Sequence, residues 1–158
     1  MPDIVDHTDL ITTIGVFFGT ETTPGTWTYA YACAMSARSF SRTRERKQES
    51  IVSECGPGAG FDIWSAAGAS DWTISGDAAM EISTFTFLNE WMEAGDIRNI
   101  RIVLYTGAKQ TLVPHGYFVG PAILTQFDAG QGDAEAMTTA SLTINKAGPA
   151  TWTLGAPA

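Results

Sequence analysis

Between Ser83 and Leu104 the sequence changes its period, and the change falls on a glycine. Phe85, Leu88, Trp91 and Met92 are spaced by threes and fours, the interval that sets side chains on one face of a helix. That spacing predicts a helix over about Ser83–Ala94 that packs this stripe against a sheet. Ser83 is the candidate cap, although Thr84 to Phe87 also alternate as a strand would, which leaves the first turn open. Gly95 stands where such a helix needs a left-handed residue to end, a conformation glycine adopts at little cost. Beyond it Arg98, Ile100, Ile102 and Leu104 alternate with Asn99, Arg101, Val103 and Tyr105, the period of a strand. Four buried helix residues contribute roughly 1.5–3 kcal/mol each, enough to fix one short helix on a sheet and too little for a helical protein.

The rest of the chain reads as strands. Ile11–Phe18 and the alternation of Trp27, Tyr29 and Tyr31 with Thr28, Ala30 and Ala32 make two, joined through the turn residues Thr22–Gly25. Asp71–Met80 restarts the sheet with Trp72 and Ile74 on one face. Thr106–Lys109 is a hairpin tip, and Pro114 predicts an edge or a bulge in the strand that follows. Gly120 and Pro121 are expected to break that run before Ile123–Phe127 resumes it. In the last long strand, Ala136–Asn145, the residues Ala136, Thr138, Ala140, Leu142 and Ile144 share one face. Met137, Thr139, Ser141, Thr143 and Asn145 share the other, which is small and polar and suits a wetted wall. With 158 residues, 44% of them hydrophobic, the expectation is one mostly antiparallel β domain carrying one α-helix.

The net charge of −8 is unevenly spread. Arg38, Arg42, Arg44, Arg46 and Lys47 are five of the nine basic residues, and only Glu45 and Glu49 of the seventeen acids fall among or beside them. The remainder keeps fifteen acids and four bases. These cations lie in Ser36–Gly60, a polar stretch with no apolar face beyond Phe40 that closes on Gly56–Gly60. It reads as a long loop, and loops beyond about 12–15 residues in a compact domain are usually functional or disordered. A basic segment on an acidic protein suits a contact with an identical neighbour better than one with nucleic acid, whose phosphates the acidic body repels.

Chemistry is not indicated. His7 and His115 have no evident partner, and no nucleophile elbow, Walker loop, paired Cys-x-x-Cys or zinc helix is present. Asp3, Asp6, His7 and Asp9 lie in an acidic arm, Met1–Leu10, that reads as a solvated tail without the frame a metal needs, and Cys33 and Cys55 read as isolated thiols. The expectation is therefore no catalytic residue, no metal and no cofactor. No stretch approaches the roughly 18–20 apolar residues that span a bilayer, and the acidic N-terminus is unlike a signal peptide, so a cytoplasmic chain with no membrane partner is expected.

Over roughly Asp71–Trp152 the motifs fall in a recognisable order. Trp91, Gly95, Asp96 and Arg98 form W-x-x-x-G-D-x-R; an I-x-I-x-L strand, a glycine hairpin, the Gly116/Gly120 pair, a polar strand and Gly148-Pro149 follow, and D-W-T-I-S-G-D precedes them. This half of the chain resembles the tail tube, or major tail, proteins of long non-contractile-tailed bacteriophages. The resemblance implies an antiparallel β-sandwich or barrel with one flanking α-helix, in a virion protein assembled in the host cytoplasm. Six copies would close into a ring, and rings would stack into the tube that conducts DNA during ejection. It implies as partners the protein itself and other tail proteins: the tape measure, terminator and distal tail protein. By position, Ser36–Gly60 with Arg38, Arg42, Arg44, Arg46 and Lys47 becomes the inter-ring loop, Met1–Leu10 a second bridging arm, and Thr139, Ser141 and Thr143 the lumen candidates. Two alternatives remain open at this point: an acidic β-sandwich binding module for carbohydrate or protein that uses Trp27, Tyr29, Tyr31 or Trp64, and another ring protein of the tail. For those aromatics, core packing is the simpler expectation.

Overall fold

A computed structural model of the chain describes residues 11–32, 35–52, 61–79, 81–108, 110–130 and 139–158. The N-terminal arm, Cys33, Cys55 and the glycine-rich segment Gly56–Gly60 lie outside the described residues. Eight strands and one helix follow in the order β1 (Ile11–Thr23), β2 (Thr26–Tyr31), β3 (Met35–Val52), β4 (Phe61–Ala79), α1 (Ile82–Ala94), β5 (Arg98–Thr106), β6 (Val113–Gly130), β7 (Thr139–Lys146) and β8 (Thr151–Leu154). The strands form a sheet in the order β2-β1-β5-β6-β7-β4-β3, and β8 adds to β6. Two compact units share this chain: Met1–Phe40 with Thr73–Ala158, and Ser41–Trp72.

In the larger unit, β6 is the strand that belongs to both ends of the sheet. Its first part pairs antiparallel with β5, from Thr106↔Val113 to Arg98↔Ala122. Its second part pairs with β7, from Ala122↔Lys146 to Gly130↔Thr139. Gly120 and Pro121 therefore do not break the strand as expected. They mark the place where it exchanges partners: Pro121 lacks an N–H to donate, and its carbonyl accepts the Ala147 N–H at 2.9 Å. Pro114 does sit at a register shift, between the Leu104 and Tyr105 pairings.

The helix and its stop are where the sequence placed them. Gly95 takes φ 61° and its N–H reaches the Trp91 carbonyl at 3.0 Å. The start lies slightly earlier than expected: Glu81, not Ser83, is the cap residue and its side chain makes no capping bond. The buried face is also rotated. Leu88 and Trp91 are fully buried and Met92 is half-buried, but Phe85 is 44% exposed and touches only the border of the face, its ring 5.8 Å from Phe127. Phe87 takes its place, stacked on Phe18 at 5.4 Å, with Trp91 edge-on to Phe18 at 6.1 Å. The Trp91 indole N–H donates to the Asp96 carbonyl at 2.9 Å, so the last turn is tied to the chain that leaves it.

The smaller unit corrects the expected loop. Ser36–Val52 is extended as part of β3, next to β4 in the sheet, and residues 41–50 are exposed at every position. A ribbon solvated on both faces carries no alternation of apolar and polar residues, which is why it shows no strand signal in the sequence. Gly68 makes the close approach possible: a Cβ there would stand 2.9 Å from the Glu45 Cβ.

Trp91→Ala is expected to cost about 3–5 kcal/mol in chemical denaturation, and Phe85→Ala about 1 kcal/mol, the worth of one exposed aromatic contact. Equal losses at the two positions would contradict the observed face.

Candidate functional site: a polar wall without cations

Three neighbouring strands build one two-faced layer. Ile74 of β4 lies opposite Ile144 of β7, which lies opposite Leu124 of β6. With Ala78, Ala140 and Leu142 they are 0–4% exposed. Alternation then turns Thr73, Ser75 and Asp77 outward beside Asn145, Thr143 and Ser141. From Thr139 onward the faces of β7 are those the alternation predicts, with Thr139 and Ser141 exposed and Thr143 half-buried, while Ala136, Met137 and Thr138 lie outside the described residues.

The wall is held together by its own hydrogen bonds. The Thr73 hydroxyl donates to Asn145 Oδ1 at 2.9 Å, Asn145 Nδ2 donates to Thr125 Oγ1 at 2.8 Å, and Thr125 Oγ1 donates to the Thr143 carbonyl at 3.1 Å. Gln126 Nε2 donates to Asp128 Oδ2, and Asp128 and Asp77 both flank Ser141. A recess of about 430 Å³ opens among Ser39, Ser75, Asp77, Gln126, Ser141 and Thr143. No described Lys or Arg stands on these outward positions. The wall is therefore neutral to negative.

Sequence reasoning found only the β7 part of this surface. The β4 part was legible in the alternation Thr73-Ile74-Ser75-Gly76-Asp77. The β6 part was hidden, because a register shift between Leu124 and Gln126 inserts Thr125 and exchanges the faces beyond it.

The other named residues lie elsewhere. Arg42, Arg44, Arg46 and Lys47 are exposed on β3 in the smaller unit, where Arg46 Nη2 donates to Ser65 Oγ at 2.9 Å. Arg38 is in β3, and its side chain is outside the described residues. His115 is exposed, 6.4 Å from the Trp152 ring. Among the described residues no group of three His, Cys, Asp or Glu side chains could hold a metal, and no helix is long and apolar enough to cross a membrane. Trp27, Tyr29 and Tyr31, for which core packing was the simpler expectation, are half-buried, half-buried and 42% exposed, and Trp64 is 52% exposed. Burial pushes the Tyr29 phenol above its ordinary value, against the Arg101 guanidinium that stabilises the phenolate, and burial likewise raises Tyr105.

No protein-family model matches the sequence, and no curated protein matches it. Solved structures do match. A chain in the tail of an empty gene transfer agent particle, refined with C6 symmetry, superimposes with a TM-score of 0.61 at 17% identity, over 87% of this chain and 95% of that one. The SPP1 tail tube gives 0.61 at 10% identity, over 92% and 78%. The sheath-tube complex of an extracellular contractile injection system gives 0.60 at 15%, over 95% and 94%. The chain thus has the tail tube fold, mostly antiparallel β with a single helix among the described residues.

The raised phenols set a direction for alkaline stability. Their neutral form is favoured in the folded state, so this contribution is complete below the ordinary tyrosine value of 10.0 and is lost as pH rises through the higher folded values. Arg101→Gln removes the cation that favours the phenolate, and spectrophotometric titration is expected to show Tyr29 ionising at still higher pH.

Proposed function

We propose that this chain is the repeating structural subunit of a tail tube in a phage-like virion. Six copies close into a ring, and rings stack into a hollow tube for DNA. The observation that carries this reading is the fold itself, matched along most of the chain to tail and tube structures with TM-scores of 0.60–0.61. The polar wall supplies the physics. Double-stranded DNA carries about one charge per 1.7 Å, and a protein holds it by neutralising phosphates and releasing counterions. A wall of Thr, Ser, Asn and Gln with Asp77 and Asp128 offers no cation for that exchange, so DNA slides past it. In this reading Thr139, Ser141 and Thr143 of β7 face the lumen, joined by the β4 and β6 residues of the same layer. The protein acts without a cofactor, with copies of itself and the other tail proteins as partners.

The basic ribbon has the complementary task. Arg42, Arg44, Arg46 and Lys47 give an acidic protein its one concentrated positive segment, suited to reach the acidic surface of a copy in the next ring.

Negative-stain microscopy of the purified protein over a concentration series, with light scattering on the same samples, is expected to show rings and hollow filaments of uniform width. Monodisperse monomer at every concentration would argue against the tube, whereas rings that never stack would favour a terminator role. Replacing Arg42, Arg44, Arg46 and Lys47 together by serine is expected to leave rings and abolish filaments. Filaments of normal length from that variant would remove the ribbon from the stacking contact.

A further inference from the structure

All four tyrosines of the chain stand on one face of the sheet. Tyr29 and Tyr31 of β2, Tyr105 of β5 and Tyr117 of β6 share the outward side of the β2-β1-β5-β6 layer with Phe17 and Arg101. The rings need room beneath them, and glycine provides it: a Cβ on Gly15 would lie 2.8 Å from the Tyr105 ring. Arg101 is at the centre. Its guanidinium lies 4.0 Å from the Tyr29 ring centroid and 5.4 Å from that of Tyr117. The residues directly opposite it on the neighbouring strands are Phe17 and Val119, so no carboxylate flanks it there. Its Nε–H is buried with no hydrogen-bond partner among the described residues, and Nη1 makes a long contact, 3.5 Å, to a main-chain oxygen of Ala158, the last residue of the sequence. A partly desolvated arginine framed by tyrosines is the composition of an interface hot spot, and a guanidinium without a carboxylate on the neighbouring strands is attracted to one.

The same unit carries a surface of the complementary kind. On α1 the residues turned away from Leu88 and Trp91 are Ile82, Thr86, Asn89 and Glu93, with Phe85 at the border. Ile82 is 86% exposed, which is unusual for so large an apolar side chain, and Glu93 is exposed at the other end of the stripe. The two surfaces look in opposite directions. Phe18 of β1 faces the helix through Phe87 and Trp91, while Phe17, one residue earlier, lies on the tyrosine face. One copy can therefore not satisfy its own tyrosine face with its own helix. A second copy can, and a contact between two different surfaces of identical chains is the kind that closes rings.

We propose that the tyrosine face of one copy receives the outward stripe of α1 from the next, with Glu93 on Arg101 and Ile82 and Phe85 on the tyrosine rings. The occupant is a second copy because the protein itself supplies the apolar-plus-carboxylate surface that an arginine among aromatics calls for. This inference rests on the tube reading and assigns the contact within each ring.

The test uses two charge reversals that cannot assemble alone but can assemble together. Arg101→Glu alone places two carboxylates against each other at every contact, and Glu93→Arg alone places two guanidinium groups there. In a 1:1 mixture every contact joins opposite charges when the two variants alternate. Each variant alone is expected to need at least about tenfold more protein than the wild type for the onset of light scattering, since facing like charges cost several kcal/mol and 1.4 kcal/mol is tenfold. The mixture is expected to return to within about threefold of the wild type. Circular dichroism checks that each variant is folded; if Arg101→Glu is not, Arg101→Gln replaces it, with an expected rise in onset that Glu93→Gln does not increase further. Wild-type tubes with variants that assemble normally alone, or a mixture no better than its components, would overturn the contact and leave the tube reading intact. A wild type that stays monomeric at all concentrations would overturn both.

Discussion

Ile74, Ile144 and Leu124 form a single row across three strands, and the larger unit depends on that row staying dry. Burying three such side chains contributes on the order of 1.5–3 kcal/mol each, and in an antiparallel layer it also fixes the register. A slip of one residue would turn the row into water and drive Thr73, Thr143 and Asn145 inward. The hydrogen bonds of the wall, from Thr73 through Asn145 to Thr125 and Thr143, form only in the register that the row selects. Core and wall are two consequences of one pairing. The polar surface proposed for the lumen thus rests on the packing behind it, and its own hydrogen bonds reinforce the register that this packing selects.

The helix is the second consequence of a dry layer. Leu88 and Trp91 cover the apolar side, and Phe87 and Phe18 complete the contact. The termination is local and independent: Gly95 at φ 61° turns the chain, and the indole bond to the Asp96 carbonyl holds the turn. Arg98 then spans both features, paired with Asp96 at 3.1 Å and lying 5.0 Å from the Phe87 ring. The Trp, Gly, Asp and Arg of the sequence motif therefore all serve one joint between helix and strand.

That joint was legible in the sequence because each of its parts is written within a few residues: a stripe, a left-handed glycine, an alternation. What escaped was set by tertiary partners. Phe85 and Phe87 both fit a helical stripe, and only the position of Phe18 decides which is buried. Thr125 is an ordinary strand residue until the register shift makes it the extra one. Pro121 reads as a break, yet its missing N–H is harmless where β6 passes from β5 to β7. The exposed stretch of β3, residues 41–50, carries no signal at all, because a strand wet on both sides has no reason to alternate apolar and polar residues.

The distribution of charge suits the proposed tube. In that reading a wall that must not retain DNA excludes cations, and a contact between acidic copies requires some, so the two needs can be met in one chain only if the cations are segregated. The sequence does this along its length: five of nine bases fall between Arg38 and Lys47. Of the remaining four, Arg98 is neutralised by Asp96, while Arg101 stands on the tyrosine face of β5 and not on the β4-β7-β6 wall. Alternation makes that placement strict. Arg101 shares its side of β5 with Tyr105 and with Val103, which is itself fully buried, whereas Ile100 and Ile102 are buried on the opposite side. An arginine one position earlier or later would be buried without a partner, at a cost of several kcal/mol. The sheet therefore admits a cation at this point only on its outward face, among the tyrosines.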